Sequence, residues 1–336
     1  MTSRGSVASE RALIDHIRRR LPPPPLSLVV GPGDDGAVVS PTRGALQVLT
    51  TDALVEGIHF DRRFSSLADI GYKALAVNLS DIAAMGATPE FALLSLLLPE
   101  GLTLAELDAL LDGVLEVASI SRAAVVGGNI SRSPAPLIVD VTVTGSVRPR
   151  RILTRSNGRP GDVLYVTGTI GAAAAGLSWL KTVGASADPT KVQPTDLLRR
   201  YRRPEPRVRI GMLLGRNRAA SACIDLSDGL ADGVRQIAEA SGTGASVEAS
   251  SIPIEPATAD WFTRQGLDPV SAAISGGDDY ELLFAVSTRR KGRLRAVVSA
   301  ARGVAVTRIG ELTTEPGVRL LKNGGALELP PGFSHF

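Results

Sequence analysis

One junction recurs along this 336-residue chain and limits what it can fold into: an apolar, strand-like run stops at a short turn of Gly, Asp, Ser or Thr. It appears at "VVGPGDDG" (29–36), "ACIDLSDG" (222–229) and "AAISGGDD" (272–279); Asp52 follows Thr50-Thr51 and Asp81 follows Asn78-Leu79-Ser80 in the same manner. Helical stretches lie between. The chain from Ser9 to Leu21 reads as an amphipathic helix with a wet Arg18-Arg19-Arg20 end and a wet His16, stopped by the prolines at 22–25. "SLADIGYKALAVNLSDIAAMGA" (66–87) reads as a helix ending near Gly86, and "EFALLSLLL" (90–98) as a buried strand. "TLAELDALLDGVLEVAS" (103–119) is a helix capped by Thr103, with Glu106 completing a capping box. "AAVVGGN" (123–129) reads as a strand running into a glycine turn, and "PLIVDVTVTGSV" (136–147) as a long strand. The alternation predicts an α/β (α+β) fold in two units, residues 1–147 and 148–336. Each carries a Gly-Asp-Asp, at 33–35 and 277–279.

The first glycine loop, Gly31-x-Gly33-x-x-Gly36, has the spacing of a dinucleotide turn but not its context. A β-branched run follows instead of a helix, and Asp34 and Asp35 would repel a pyrophosphate. Two readings stay open from the residues: an acidic hairpin turn, or a loop that receives a cation. An isolated Asp at a strand end is most often a cap or turn former. A whole set of them along one edge of an α/β unit points to a ligand. Oxygen donors without Cys or His partners suit a hard cation, Mg²⁺ or Mn²⁺, and Mg²⁺ at carboxylates implies phosphates. Yet there is no Gly-Lys dipeptide, hence no Walker A loop, and no protein-kinase signature.

Composition excludes several classes. Aromatics are 4%, so there is no base-stacking platform for nucleic acid, and a net charge of +3 suits an anionic small molecule equally well. Cys223 is the lone cysteine and reads as a small buried residue, so neither a disulfide nor a cysteine zinc site arises. No signal peptide or membrane-length apolar run is visible, which leads us to expect a cytoplasmic protein. His59, in "VEGIHF", either packs at a strand end or reaches a substrate. No nucleophile beside a base appears, so covalent catalysis is not expected.

Eight stretches, "GPGDDGAVV", "TTDALVEGIHF", "GYKALAVNLSDIAAMGATP", "VVGGNISRS", "LTRSNGRPGD", "IDLSDGL", "SGGDDYELLF" and the closing "GFSHF", occur in this order. Together they resemble the thiamine-monophosphate kinase family, within the aminoimidazole-ribonucleotide-synthetase-like superfamily. The resemblance implies two α/β domains: an N-terminal ATP- and metal-binding domain that pairs into a homodimer, and a C-terminal domain completing the active-site cleft. It implies transfer of the ATP γ-phosphoryl group to thiamine monophosphate, with several Mg²⁺ ions. By motif position, Asp34, Thr50, Thr51, Asp52, Asp81, Asn129, Asp225 and Asp228 would surround the metals, with Asp52, Asp81 and Asp225 closest to catalysis. Gly128, Asn129, Arg155 and Ser227 would meet the nucleotide. His59, Asp278 and Phe333 would face the acceptor, although Phe333 also reads as plain C-terminal packing.

Three residues depart from that family pattern: Asn129 for Asp, Asp278 for Glu, and Ser121 near a position often held by Tyr. Two alternatives remain, another ATP-using member of the superfamily or a nucleotide-binding relative without activity.

Overall fold

The computed structural model describes residues 10–182 and 195–333, which divide into two units. Ser9, the segment 183–194 and the end of "GFSHF" with His335 lie outside the described residues. The first unit takes the chain up to Ala45, Leu49–Asn78 and Pro89–Thr144; the second takes Leu46–Val48, Leu79–Thr88 and the chain from Gly145.

In chain order the first half contains α1 (Glu10–Arg20), β1 (Leu28–Val30), β2 (Val38–Val39), β3 (Leu46–Val55), α2 (Leu67–Ala84), β4 (Thr88–Pro99), α3 (Leu104–Ser121), β5 (Ala124–Ser133) and β6 (Ile138–Val147). A four-stranded sheet runs β3-β6-β4-β5, and β1 and β2 form a small antiparallel pair. Strands β4 and β5 are parallel, joined through α3. Helix α3 begins where its capping box predicts: the Thr103 hydroxyl accepts from the Glu106 N–H, and the Glu106 carboxylate accepts from the Thr103 N–H. Its apolar face, Leu107, Leu110, Leu111, Val114 and Val117, is buried.

Five local expectations are corrected. The Gly127-Gly128 pair is no turn: β5 runs on through Asn129 to Ser133, with an irregularity opposite Ala92/Leu93. Pairing with β4 satisfies this backbone, and the missing side chain at Gly128 lets the two chains close up. Asp52 lies inside β3 and Asp81 on α2, not at strand-to-turn junctions. His16 is not wet; its Nε2 lies 2.6 Å from Asp108. Arg20 likewise pairs with Asp108 and Asp112, which stand one turn apart on α3.

The second unit contains β7 (Val163–Thr167), α4 (Ala172–Thr182), α5 (Thr195–Arg202), α6 (Val208–Asn217), β8 (Ala222–Asp225), α7 (Leu230–Ser241), β9 (Gly244–Glu248), α8 (Pro256–Arg264), α9 (Pro269–Ser275), β10 (Leu282–Val286), α10 (Lys291–Ala300), β11 (Val306–Thr313), β12 (Val318–Lys322) and β13 (Gly325–Glu328). Seven strands order as β13-β12-β9-β11-β7-β10-β8. All neighbours are antiparallel except β12 and β9. The sheet is apolar on both faces, and the two-residue period sorts its side chains between two cores. Leu164, Val166, Ala222, Ile224, Leu283 and Ala285 point to one core, with α7 and α9 contributing Val234, Ile237 and Ile274. Cys223, Leu282, Phe284 and Val286 point to the other, with Ile210 and Leu214 of α6, Val297 of α10, and Ala83 and Ala84 of α2. Burial pushes the Cys223 thiol pKa up, so it stays protonated and inert.

Beneath the second Gly-Asp-Asp lies a buried polar knot. Glu281, without exposed surface, accepts from Arg200 Nη2 at 2.5 Å, Arg207 Nε at 2.6 Å and Thr167 Oγ1 at 2.6 Å. Asp279 is 2% exposed and accepts from the Gly171 N–H at 2.8 Å, at the start of α4. Burial is the main force raising its pKa, to about 7, aided by the charge of Glu281 and opposed by the Gly171 and Ala173 amides and Arg200. A carboxyl raised in the folded state stabilises most at low pH, and that contribution fades as pH climbs through the folded value. Between pH 5 and pH 8 the wild type should therefore lose stability relative to Asp279→Asn, on the order of a few kcal/mol. Paired thermal melts across that range test this; a constant difference between the two proteins would show that Asp279 does not titrate there.

Candidate active site

In the first unit, a cavity of about 480 Å³ is lined by the GPGDDG loop, α1 and the central residues of β4, β5 and β6. Asp34 shares this cavity with Gly128 and Asn129, which lie far from it in sequence. The loop bends at Gly33 (φ +120°), where a side chain would collide with the Arg18 guanidinium at 2.5 Å. Asp34 accepts from the Asp35 N–H at 3.0 Å, an Asx contact that fixes its carboxylate at the loop tip. Asn129 is exposed and sits in ladder register with Ser95 of β4.

Sequence reading missed two residues of this cavity. Arg18 belongs to it, although its place in a short basic run pointed only to solvent. Asp140 is the second, in the middle of the apolar run "LIVDVTVTG". The signal was the period of two: Ile138, Asp140, Thr142 and Thr144 occupy one face of β6, while Val139, Val141 and Val143 are buried on the other. Asp140 accepts from Thr51 Oγ1 at 3.1 Å, and Thr142 Oγ1 lies 3.1 Å from the same hydroxyl. The alternation along β3 puts Thr50 and Asp52 on the face shared with the buried Val48 and Leu54, opposite Thr51. The structure thus groups Thr51 with Asp140 and sets Thr50 and Asp52 apart from them. His59 closes the turn after β3, its Nδ1 accepting from the Val55 N–H at 3.1 Å. Its carbonyl lies 3.5 Å from the ammonium of the buried Lys73 on α2.

In the second unit the two acidic turns are laced together through their backbones. The Asp278 N–H donates to the Ser227 carbonyl at 2.7 Å, and the Tyr280 N–H to the Leu226 carbonyl at 2.9 Å. The Phe333 N–H donates to the Asp228 carbonyl at 3.1 Å, which brings the chain's last described residue to the same place. Phe333 is 53% exposed, so core packing does not account for it. Asp225 closes β8 and accepts from Ser80 Oγ at 2.8 Å, next to Asp81 on α2. Asp225, Ser227, Asp228, Asp278 and Phe333 therefore form one cluster, with Asp81 adjoining through Ser80. Asp278 and Asp279 part ways: Asp278 accepts from the Tyr280 hydroxyl at 3.2 Å, whereas Asp279 turns into the knot below. Arg155 stands elsewhere, donating to Gln236 of α7 at 2.6 Å.

Among the described residues, no three His, Cys, Asp or Glu side chains converge closely enough to hold a metal by themselves. The donors present are carboxylate, amide and hydroxyl oxygens at Asp34, Thr51, Asn129 and Asp140. That chemistry fits Mg²⁺, which binds one or two carboxylates and completes its shell with phosphate oxygens and water.

Residues 33–147 match the N-terminal domain of AIR synthase related proteins, and residues 159–323 match the C-terminal domain of the same group. The two-unit fold with acidic loops thus defines an AIR-synthase-related protein. Among sequence relatives, the thiamine-monophosphate kinase of Bacillus subtilis (strain 168) is 36% identical over 92% of this chain and 94% of its own. The crystal structure of the thiamine-monophosphate kinase from Stenotrophomonas maltophilia K279a superposes with a TM-score of 0.81 at 35% identity, over 95% of this chain and 98% of that one. AaThiL, solved in complex with AMPPCP and TMP, superposes with a TM-score of 0.76 at 31% identity over 100% of both chains. The chain belongs to the thiamine-monophosphate kinase family.

The close pass of β4 and β5 at Gly128 supports everything built on that edge. A Cβ at Gly128 would lie 1.9 Å from the Leu94 carbonyl oxygen. Gly128→Ala should force the strands apart and cost at least about 1–3 kcal/mol. Urea unfolding checks this; an unchanged midpoint would mean that β5 can move aside without loss.

Proposed function

We propose that this protein catalyses ATP-dependent phosphorylation of thiamine monophosphate, giving thiamine diphosphate and ADP. The observation that carries this reading is the match, over the full length of both chains, to a relative solved with an ATP analogue and TMP, combined with the oxygen-rich loops described above. In the transfer, the bond from the ATP γ-phosphorus to its bridging oxygen breaks and a bond to an oxygen of the acceptor phosphate forms. ADP keeps the bridging electron pair. The acceptor phosphate has a second pKa of about 6 and arrives largely deprotonated, so no strong general base is needed. Positioning and charge compensation carry the catalysis.

Bound Mg²⁺ would neutralise the phosphates and hold their oxygens in line. We assign the ligands of several such ions to Asp34, Thr50, Thr51, Asp52, Asp81, Asn129, Asp225 and Asp228, and add Asp140. Asp140 shares a cavity with Asn129 and restores the negative charge that an amide lacks. Gly128, Asn129, Ser227 and Arg155 serve the nucleotide. Asp278 and Phe333 suit the cationic thiazolium, a carboxylate for its charge and an aromatic face for the ring. We also assign the His59 ring, held through Nδ1, to the acceptor side. The reading includes a homodimer formed through the first unit, where β3 is an edge strand with Leu49 70% exposed. It also places the protein in a reducing cytoplasm. Among the described residues no helix is long and apolar enough to cross a membrane.

Thiamine diphosphate formation from ATP, Mg²⁺ and thiamine monophosphate, read by mass, tests the activity; its absence in active-looking, folded protein would sink the reading. Asp52→Asn should lower kcat roughly 10²-fold with little change in melting temperature. Titrating Mn²⁺ by electron paramagnetic resonance with an ATP analogue present tests the cavity ligands without turnover. Asp140→Asn should weaken Mn²⁺ binding and Asn129→Asp should tighten it; curves that superimpose on the wild type would remove both residues from the ligand set.

The acceptor assignment has its own test. Phe333→Ala should raise the KM for thiamine monophosphate by about 3- to 10-fold, the range of a cation–π contact, and leave the KM for ATP nearly unchanged. An equal rise for both substrates would move Phe333 to the nucleotide.

A further inference from the structure

The second unit holds another cavity, of about 460 Å³, at the opposite end of β8 from Asp225. Its walls carry Arg150, Arg151, Arg159, Arg218, Arg289 and Arg290 against one acid, Asp162. The strand register fixes its place. Leu282 pairs with Asp225 at one end of the β8–β10 ladder, and Ala285 pairs with Ala222 at the other. Ser221 and Ser287, which line the cavity, lie just beyond that second end. Four residue steps separate Ser221 from Asp225, about 13 Å of strand.

Elsewhere some arginines lie against carboxylates, among them Arg20, Arg62, Arg63, Arg199, Arg200 and Arg207, and others, such as Arg155 and Arg235, donate to amide or carbonyl oxygens. Among the described residues, none of the six cavity arginines has a carboxylate within ion-pair distance. Asp162 is 5% exposed and already committed: its Oδ2 accepts from Ser221 Oγ at 2.6 Å and from the Arg159 N–H at 3.1 Å. Arg290 is fixed by donating to the Ala220 carbonyl at 2.9 Å. Six arginines against one acid raise the potential of this concavity, and an anion is the ligand it favours. The volume is that of a small-molecule site. No aromatic side chain lines it, so recognition there would rest on charge and not on a stacked ring. Guanidinium forks match phosphate oxygens two at a time, and several forks favour more than one phosphate group.

We propose that this cavity is a second anion site, distinct from the acidic loops, that takes a diphosphate group, either free or at the end of a larger metabolite. The test is isothermal titration of the full chain with inorganic pyrophosphate and, separately, with ADP, in excess chelator. Without a bridging cation the acidic loops repel such ligands, so binding reports the arginine cavity. The comparison is Arg150→Glu combined with Arg289→Glu. Both residues are exposed, and melting temperatures matched to the wild type show that the pair folds. The wild type should bind pyrophosphate at one site per chain, and the double variant should bind at least tenfold more weakly while keeping the wild-type kinase rate. Hydrogen exchange should slow at residues 148–162 and 287–290 when pyrophosphate is added. Tighter binding of ADP than of pyrophosphate would identify a diphosphate ester as the ligand, and the reverse would identify the free anion. No binding in chelator, equal binding by the double variant, or protection confined to the acidic loops would overturn the proposal. Because the kinase rate is measured separately, loss of the anion site and failure of the kinase reading give different results.

Discussion

Glu281 is charged although none of its surface is exposed. Burial opposes its ionisation, but hydrogen bonds from Arg207 and the charges of Arg207 and Arg200 outweigh burial and hold its pKa below the usual carboxylate range. The Gly168 backbone leaves no room beside it, since a Cβ there would lie 2.1 Å from Glu281 Oε1. Removing one member of such a buried group strands the others, which is why these networks fix geometry more than they add stability. Here the geometry fixed is that of "GGDDYE". With Glu281 pinned below and Asp279 bound to the start of α4, the chain between them has one course, and Asp278 is left beside Ser227 and Asp228. The acidic cluster of the second unit rests on this anchor.

The first unit places its polar residues by backbone geometry. Asp34 is placed by a glycine bend, and Asn129 by a strand that passes unusually close to its neighbour at Gly128. Asp140 and Thr51 meet because two strands lie side by side with their polar faces aligned. In the first unit Thr51, Asn129 and Asp140 lie within ladder strands, whereas the acidic cluster of the second unit lies at the end of β8 and in the turn before β10. At the far end of the same ladder arginines gather and acids are scarce. One strand, β8, thereby separates a negative end from a positive end.

Some of this was legible from residues alone. The capping box of α3, the end of α2 near Gly86 and the strand–turn–helix of "ACIDLSDGLADGVRQIAEA" depend on contacts a few residues apart, so local pattern suffices. Other readings failed where distant partners decided. The Gly127-Gly128 pair has the composition of a turn, but a parallel neighbour makes it strand. His16 and Arg20 look solvated on α1, yet acids 92 residues or so away on α3 claim them. Asp140 is hard to read from sequence because the apolar run around it marks the buried face of β6 and not the alternate residues opposite.

By itself the sequence determined the alternation of strands and helices, the acidic loops, the absence of a Walker loop, and the residues that mark the family, because each is a matter of residue type and short spacing. Only the tertiary structure decided which of those acids share a site. Asp278 joins Ser227, Asp228 and Phe333, while Asp279, its immediate neighbour, is buried as a structural group; Thr51 meets Asp140, while Asp52 faces the other way. The same holds for the six arginines, drawn from four separate segments of chain into one cavity. The physical reason is common to all of these cases. A side chain's direction is set by the pleat and by hydrogen bonds to partners far along the chain, and the charge it meets depends on what those partners bring beside it.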